Sequence, residues 1–289
     1  MAYINNFGIL AGDSRQIALA RSLLDDGYNA YVYGFENTKL GEEGKSLTLD
    51  NVIEKSEVLI LPVPVTRDNV TLNAPFSNYN VILDDKFAKK MEGKKVFCGM
   101  SSKLYQTSDV WNEIEVYDYY EREEYAIKNA IPTAEGAIEI AMQEYDGTIN
   151  GSKCLVSGFG RIGKVLAKML KGIGANVTVS ARKQSDLAWI EASGCKAIKT
   201  CDIYMTNNYD LIFNTIPHMI FDSHTLARSA TKAIIIDLAS LPGGVDFSSA
   251  RRLGIKAIQG LSLPGKVAPK AAGEIVKQTI YNMLEEDGG

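Results

Sequence analysis

Gly158, Gly160 and Gly163 stand at the spacing GxGxxG, within Gly158-Phe159-Gly160-Arg161-Ile162-Gly163. An apolar run, KCLVS at 153–157, precedes them. Ile162, Val165, Leu166, Met169, Leu170 and Ile173 follow as an i, i+3, i+4, i+7 stripe. A strand, a tight turn and a helix in that order can seat a dinucleotide diphosphate. Gly158 permits the turn, Gly160 lets the backbone approach the diphosphate, and Gly163 lets the helix sit close to the strand. N–H groups at the helix N-terminus then face the phosphates. The other reading is a glycine turn that merely packs.

Sites of this kind that take NAD carry an Asp or Glu at the end of the second strand, where it accepts hydrogen bonds from the ribose hydroxyls. This chain reads Ser180-Ala181-Arg182-Lys183 there. Ser180 can donate to a 2′-phosphate, and Arg182 and Lys183 can neutralise it. NADP is therefore the expected cofactor, ahead of NAD; the other reading of Arg182 and Lys183 is a solvated turn. Two later loops, NTIPHMIF at 214–221 and DLASLPGGVDF at 237–247, open at the same strand edge. Asn214 and Pro217 are expected beside the cofactor.

Positioning these residues takes α/β architecture. The stretch FGILAGDSRQIALARSLLDDGYNAYVYGF reads as strand (7–11), turn, helix to about Asp26 and strand (30–33). Further strands are expected at 58–61, 81–83, 96–98 and 115–117, with PVPVTRDNVTLNAPFSNYNVIL as a loop or hairpin insertion. In the second half, strands are expected at 177–180, 211–214, 233–237 and 256–258. Thr133 can cap a linker helix carrying Ile138, Ala141, Met142 and Tyr145. Ile275, Ile280, Met283 and Leu284 mark a final helix. The fold class is α/β, with two Rossmann-like or flavodoxin-like parallel-sheet domains, the second a dinucleotide-binding Rossmann domain. Residues 1–132, joined by the C-terminal helix 267–289, are expected to form the substrate domain, and 133–266 the NADP domain. Arg15, Pro217, Ser240 and Lys266 are expected in the cleft between them.

The chain of 289 residues is 46% hydrophobic and 23% charged, with net charge −4 and pI near 5.4. That balance argues against a nucleic-acid partner held by bulk electrostatics. It leaves room for a small anionic substrate in a local basic pocket. The apolar runs are too short to span a bilayer, and MAYINNFGILAGD lacks the pattern of a secretory signal. Cys98, Cys154, Cys195 and Cys201 form no CxxC pair and read as reduced cytoplasmic thiols. With two histidines and no HxxxH, no metal site is expected.

The strand-edge loops resemble those of the 2-hydroxyacid dehydrogenases, with two departures. Ser240 stands where that group carries an arginine, and LSLPGKVAPK at 261–270 replaces its catalytic histidine. AGDSRQ (11–16), EREEYAIKNAIPTAEGAI (121–138), GFGRIGKVLA (158–167), NTIPHMIF, DLASLPGGVDF and LPGKVAPKAAGEI (263–275) occur in an order that more closely resembles the family of dipicolinate synthase A subunits. The likeness covers nearly the whole chain, and its specificity lies in the combination. It implies oxidation of a dihydrodipicolinate, from the lysine branch, to dipicolinate with a nicotinamide cofactor. It also implies the mother-cell cytoplasm of a sporulating bacterium, a homo-oligomer and a flavoprotein-like second subunit.

A dicarboxylate substrate asks for cations and N–H donors. Arg15, Lys266 and Lys270 are the leading cations, with Ser240, Gly243 and Gly244 beside them and Arg67 and Arg122 behind. For each cation the alternative is a surface ion pair. His218 is one proton acceptor by its intrinsic pKa. Asp13 and Asp237 are the others, although Asp13 also suits a helix cap. Two other classes stay open: a nucleotide-binding scaffold subunit without turnover, and a dehydrogenase of another small acid such as alanine.

Overall fold

Alternating apolar strands and amphipathic helices build two parallel sheets. The computed structural model describes residues 4–42, 45–229 and 232–287. Residues to Lys128, with those from Pro269 onward, form one compact unit, and Asn129–Ala268 form the other. The helices that bear on the site are α1 (Ser14–Asp25), α2 (Glu123–Glu144), α3 (Arg161–Ile173), α4 (Gln184–Ala192), α5 (Leu263–Val267) and α6 (Pro269–Asp287).

In the first unit, β1 (Asn6–Leu10), β2 (Asn29–Tyr33), β3 (Val58–Ile60), β4 (Lys95–Cys98) and β5 (Val116–Asp118) pair in the order β2-β1-β3-β4-β5, all parallel. Successive strand residues enter opposite cores: Leu10 and Leu59 one, Ile9 and Ile60 the other. A sheet covered on both faces needs such continuous apolar runs. Asp13 caps α1 and forms a capping box with Gln16. α6 packs on α1 through Val276, Ile280 and Met283, each contributing about 1.5–3 kcal/mol by burial. Gly273 is required there, since a Cβ would lie 2.5 Å from the Arg15 carbonyl oxygen. The buried Lys277 ammonium donates to Asp26 at 2.6 Å and Ser22 at 2.7 Å. The segment 81–83, expected as a strand, forms only an isolated antiparallel bridge between Ile82 and Thr71.

In the second unit, β6 (Lys153–Ser157), β7 (Asn176–Ala181), β8 (Lys196–Lys199), β9 (Leu211–Asn214), β10 (Ile234–Asp237) and β11 (Ala257–Gln259) pair in the order β11-β10-β9-β6-β7-β8, all parallel. Counted from β6, this is the Rossmann order, with its switch point between β6 and β9. The expected fold class therefore holds for both sheets. The linker helix departs from expectation. Thr133 does not cap it; α2 begins ten residues earlier and contains Pro132. Thr133 Oγ1 instead donates to the Asn129 carbonyl at 2.7 Å. The buried stripe Ala130, Ala134, Ala137 and Ala141 holds the helix through the proline. Among the described residues no helix is long and apolar enough to cross a membrane.

Candidate functional site

The glycine turn lies at the carboxyl end of β6, beside the switch point. Gly158 takes φ +101°, and a Cβ there would lie 2.5 Å from Thr215 Oγ1. A Cβ on Gly163 would lie 2.1 Å from the Gly158 carbonyl oxygen, so α3 sits against the turn as only glycine allows. Gly160 is different: a Cβ there would meet nothing within 4 Å. It is exposed and is the N-cap of α3, with no side chain to cap the first turn. Open space over an uncapped helix N-terminus fits a diphosphate. Phe159 and Ile162 pack on the core beneath, and Arg161 is exposed at the first helical position.

At the end of β7, Arg182 and Lys183 are exposed, and Lys183 is the N-cap of α4 without a side-chain bond. No carboxylate stands at the strand end itself; Asp186 follows inside the first turn of α4. Ser180 corrects one expectation. It is 0% exposed, and its hydroxyl lies 3.4 Å from the Gly158 amide nitrogen and 3.5 Å from Thr200 Oγ1. It supports the turn from beneath, and its side chain is closed to a ligand phosphate.

The next two strand ends are tied together. Buried Asn214 donates from Nδ2 to Asp237 Oδ1 at 2.8 Å and to the Ile216 carbonyl at 3.0 Å. Its Oδ1 accepts from the Ile216 amide at 3.2 Å. Asp237, 1% exposed, also accepts from the Ala239 amide at 3.2 Å and the Gly244 amide at 3.0 Å. Asp237 is thus an acceptor for three donors and not a proton acceptor open to substrate. The glycines of the PGG loop are corrected by the same network. The Gly244 N–H serves Asp237, and the Gly243 N–H donates to the Ser240 carbonyl at 2.9 Å. Neither is left for a carboxylate. Ser240, Pro217 and His218 are exposed on these loops.

In the first unit, Asp13 and Arg15 hold each other. Arg15 Nε donates to Asp13 Oδ1 at 2.9 Å, and Nη2 donates to Oδ2 at 2.7 Å and to the Val63 carbonyl at 2.6 Å. Burial pushes the Asp13 carboxyl up, but the hydrogen bonds and charge of Arg15 outweigh it, leaving the carboxyl below its usual range. Burial likewise opposes the Arg15 charge, and Asp13 more than restores it. Tyr125, almost fully buried beside Arg15, has its phenol pushed up to about 12 by burial. At 6% exposure Arg15 ties the start of α1 to the loop after β3, and Asp13 is its counter-ion and the α1 cap. The ligand-facing role expected of Arg15 and the base role expected of Asp13 are corrected by that pairing. Arg122 is held by Glu124 at 2.8 Å and Glu286 at 2.6 Å, and Arg67 donates to Asn73 at 3.1 Å. Lys266, on α5, and Lys270, on α6, are exposed, and among the described residues no carboxylate holds either ammonium. All four cysteines are free thiols.

A Rossmann-ordered sheet with this turn at its switch point makes the second unit a dinucleotide-binding domain of the oxidoreductase type. The model for the NAD-binding domain of the D-isomer specific 2-hydroxyacid dehydrogenases matches residues 128–240, and that for the N-terminal domain of the dipicolinate synthase A subunit matches residues 6–120. The A subunit of dipicolinate synthase from Bacillus subtilis (strain 168) is 35% identical over 282 residues, covering 96% of this chain and 95% of that one. The chain belongs to the family of dipicolinate synthase A subunits, as its motif order indicated. The crystal structure of the Bacillus subtilis protein aligns with TM-score 0.85 at 33% identity, over 99% of this chain and 97% of that one. Its counterpart from Bacillus halodurans aligns with TM-score 0.83 at 31% identity, over 97% of each chain. A transhydrogenase from Sinorhizobium meliloti shares the fold alone, with TM-score 0.66 at 13% identity, over 97% of this chain and 94% of that one.

Proposed function

We propose that this chain is the A subunit of a dipicolinate synthase. It oxidises dihydrodipicolinate to dipicolinate with NADP in the mother cell of a sporulating bacterium, beside a flavoprotein-like second subunit. The observation that carries the reading is the 35% identity to a protein of that name along 96% of the chain. The NADP preference is supported by Arg182 and Lys183 at the strand end where a ribose-binding carboxylate would stand. When bound, the nicotinamide would take a hydride from the dihydropyridine ring.

The chain's own residues do the rest. The α3 N-terminus and open Gly160 hold the diphosphate. The Asn214–Asp237 network fixes the two loops that border the ring. Loss of a ring proton completes the aromatic product, and the exposed His218 imidazole is the acceptor. Because aromatisation drives the oxidation, no arginine at Ser240 is needed to polarise a carbonyl. Lys266 and Lys270, which among the described residues no carboxylate holds, are the cations for the substrate carboxylates.

The test is turnover of dihydrodipicolinate, generated in situ, by the isolated chain with NADP and then in the presence of a second subunit. Dipicolinate formed by the isolated chain supports the reading. Cofactor binding without turnover in either mixture would leave a nucleotide-binding scaffold subunit. One observation favours that second reading: both carboxylates suited to act as bases, Asp13 and Asp237, are engaged in structural bonds.

A further inference from the structure

Arg182 and Lys183 lie on one loop, and the neighbouring strand brings a third cation to it. β8 is the edge strand and runs parallel to β7, with Ala181 opposite Lys199. Register partners on adjacent strands are about 4.8 Å apart, so the two strands end side by side. Lys199 and Thr200 thus stand next to the start of the 182–183 loop. Thr200 Oγ1 reaches Ser180 Oγ at 3.5 Å, which links the end of β8 to the residue under the glycine turn. Lys199 is exposed and precedes the 3-10 turn Thr200–Met205, which its side chain does not cap. It lines a groove of about 400 Å³ with Gln184, the first residue of α4, Glu191 and Asp202; Arg182 and Lys183 stand outside that groove, on the adjoining loop. The first turn of α4 has no side-chain cap, so its N–H groups are open to an anion at that end.

The local charge balance depends on Lys199. At the N-terminal end of α4, Arg182 and Lys183 are opposed by Asp186, in its first turn, and by Asp202, in the 3-10 turn; Glu191, which also lines the groove, lies in the last turn of α4. Two cations against two carboxylates give no net attraction for a phosphate monoester. Lys199 makes it three against two. We infer that Lys199, positioned with Thr200 at the end of β8, forms the far wall of the 2′-phosphate subsite, so that two adjacent strand ends select NADP. The inference rests on the NADP reading above and deepens it. The sequence around Lys199 gives no sign of this role, because KAIK at 196–199 is too short and too polar to announce a strand.

The experiment titrates NADP, NAD, 2′,5′-ADP and 5′-AMP into the parent chain and into Lys199→Ala, Lys199→Arg and Arg182→Ala. Lys199→Ala should weaken NADP and 2′,5′-ADP on the order of tenfold, while NAD and 5′-AMP change by less than about twofold. Lys199→Arg should retain parental selectivity, which a purely structural role would not require. If Lys199→Ala leaves the NADP to NAD ratio at its parental value while Arg182→Ala lowers it, the subsite assignment is wrong and the NADP reading stands. If the parent binds NAD as tightly as NADP, the NADP reading falls and the subsite falls with it.

Discussion

Asn214 Nδ2 donates to Asp237 Oδ1 at 2.8 Å, joining the last residue of β9 to the last residue of β10. The bond sets two loops at once. Asn214 also bonds both polar backbone atoms of Ile216, and Asp237 also receives the Ala239 and Gly244 amides. Gly244 must be glycine for this closure, since a Cβ would lie 2.4 Å from Asn214 Nδ2.

Replacing Asp237 by Asn puts an NH2 group among three donors that each need an acceptor. The expected cost is about 1.5–3 kcal/mol of stability, seen as a lower urea midpoint, with weaker cofactor binding from the loosened loops. The pH profile of kcat should keep its parental shape, because the carboxylate is not the proton acceptor. A profile that loses its acid limb in Asp237→Asn would return Asp237 to the catalytic group.

The glycine turn separates two kinds of damage. Gly160→Val should leave the thermal midpoint near the parental value and abolish NADP binding, because its side chain enters open space that the diphosphate needs. Gly163→Ala should destabilise, because its Cβ would sit 2.1 Å from the Gly158 carbonyl oxygen. The expected loss is about 1–3 kcal/mol, from forced movement of α3. Normal NADP affinity in Gly160→Val would remove the seat from this turn.

Sequence was most informative where one residue type answers a local backbone demand. Gly158 and Gly163 were legible for that reason: a positive φ and a close helix approach are glycine's to supply. Thr133 misled as a cap because the helix runs on through Pro132, held there by packing of Ala130, Ala134, Ala137 and Ala141. Ser180, Gly243 and Gly244 misled differently. Their residue types suit ligand binding, but whether a hydroxyl or N–H is free depends on β6–β7 register and loop closure. Arg15 was a plausible anion site until its bond to Val63, 48 residues away, showed it spent on the fold.

The Asp13–Arg15 pair predicts an acid limit for the first unit. Burial raises the Asp13 carboxyl, and Arg15 lowers it by more. A depressed carboxyl contributes stability that is present above its unfolded value of 3.8 and lost as pH falls through the lower folded value. Asp13→Asn should cost about 3–5 kcal/mol at neutral pH, because Arg15 is left buried and unpaired. The gap in urea midpoint between parent and variant should narrow as pH falls below about 4. A gap unchanged from about pH 7 to about pH 3 would show that the pair does not titrate with folding.

Lys266 and Lys270 carry the last prediction. A ring with a carboxylate at each end needs two anion-binding points to stay aligned for hydride transfer, since a single point leaves it free to rotate. Arg15 is bound to Asp13 and the Val63 carbonyl, Arg122 to Glu124 and Glu286, and the Gly244 N–H to Asp237. Lys266 and Lys270 remain exposed, with no carboxylate holding either among the described residues. Being exposed, each contributes less than a buried charge-assisted bond would, so Lys266→Ala and Lys270→Ala should each lower kcat/KM by about 5- to 20-fold. NADP affinity should stay within about twofold of parental, because neither lysine belongs to the diphosphate seat. The double variant should lose roughly the product of the two effects if the lysines hold separate carboxylates, and less if they share one. The measurement is steady-state kinetics with in situ dihydrodipicolinate, alongside direct NADP titration. Parental kcat/KM in the double variant would move the anion site elsewhere, with Arg67 the next cation to replace.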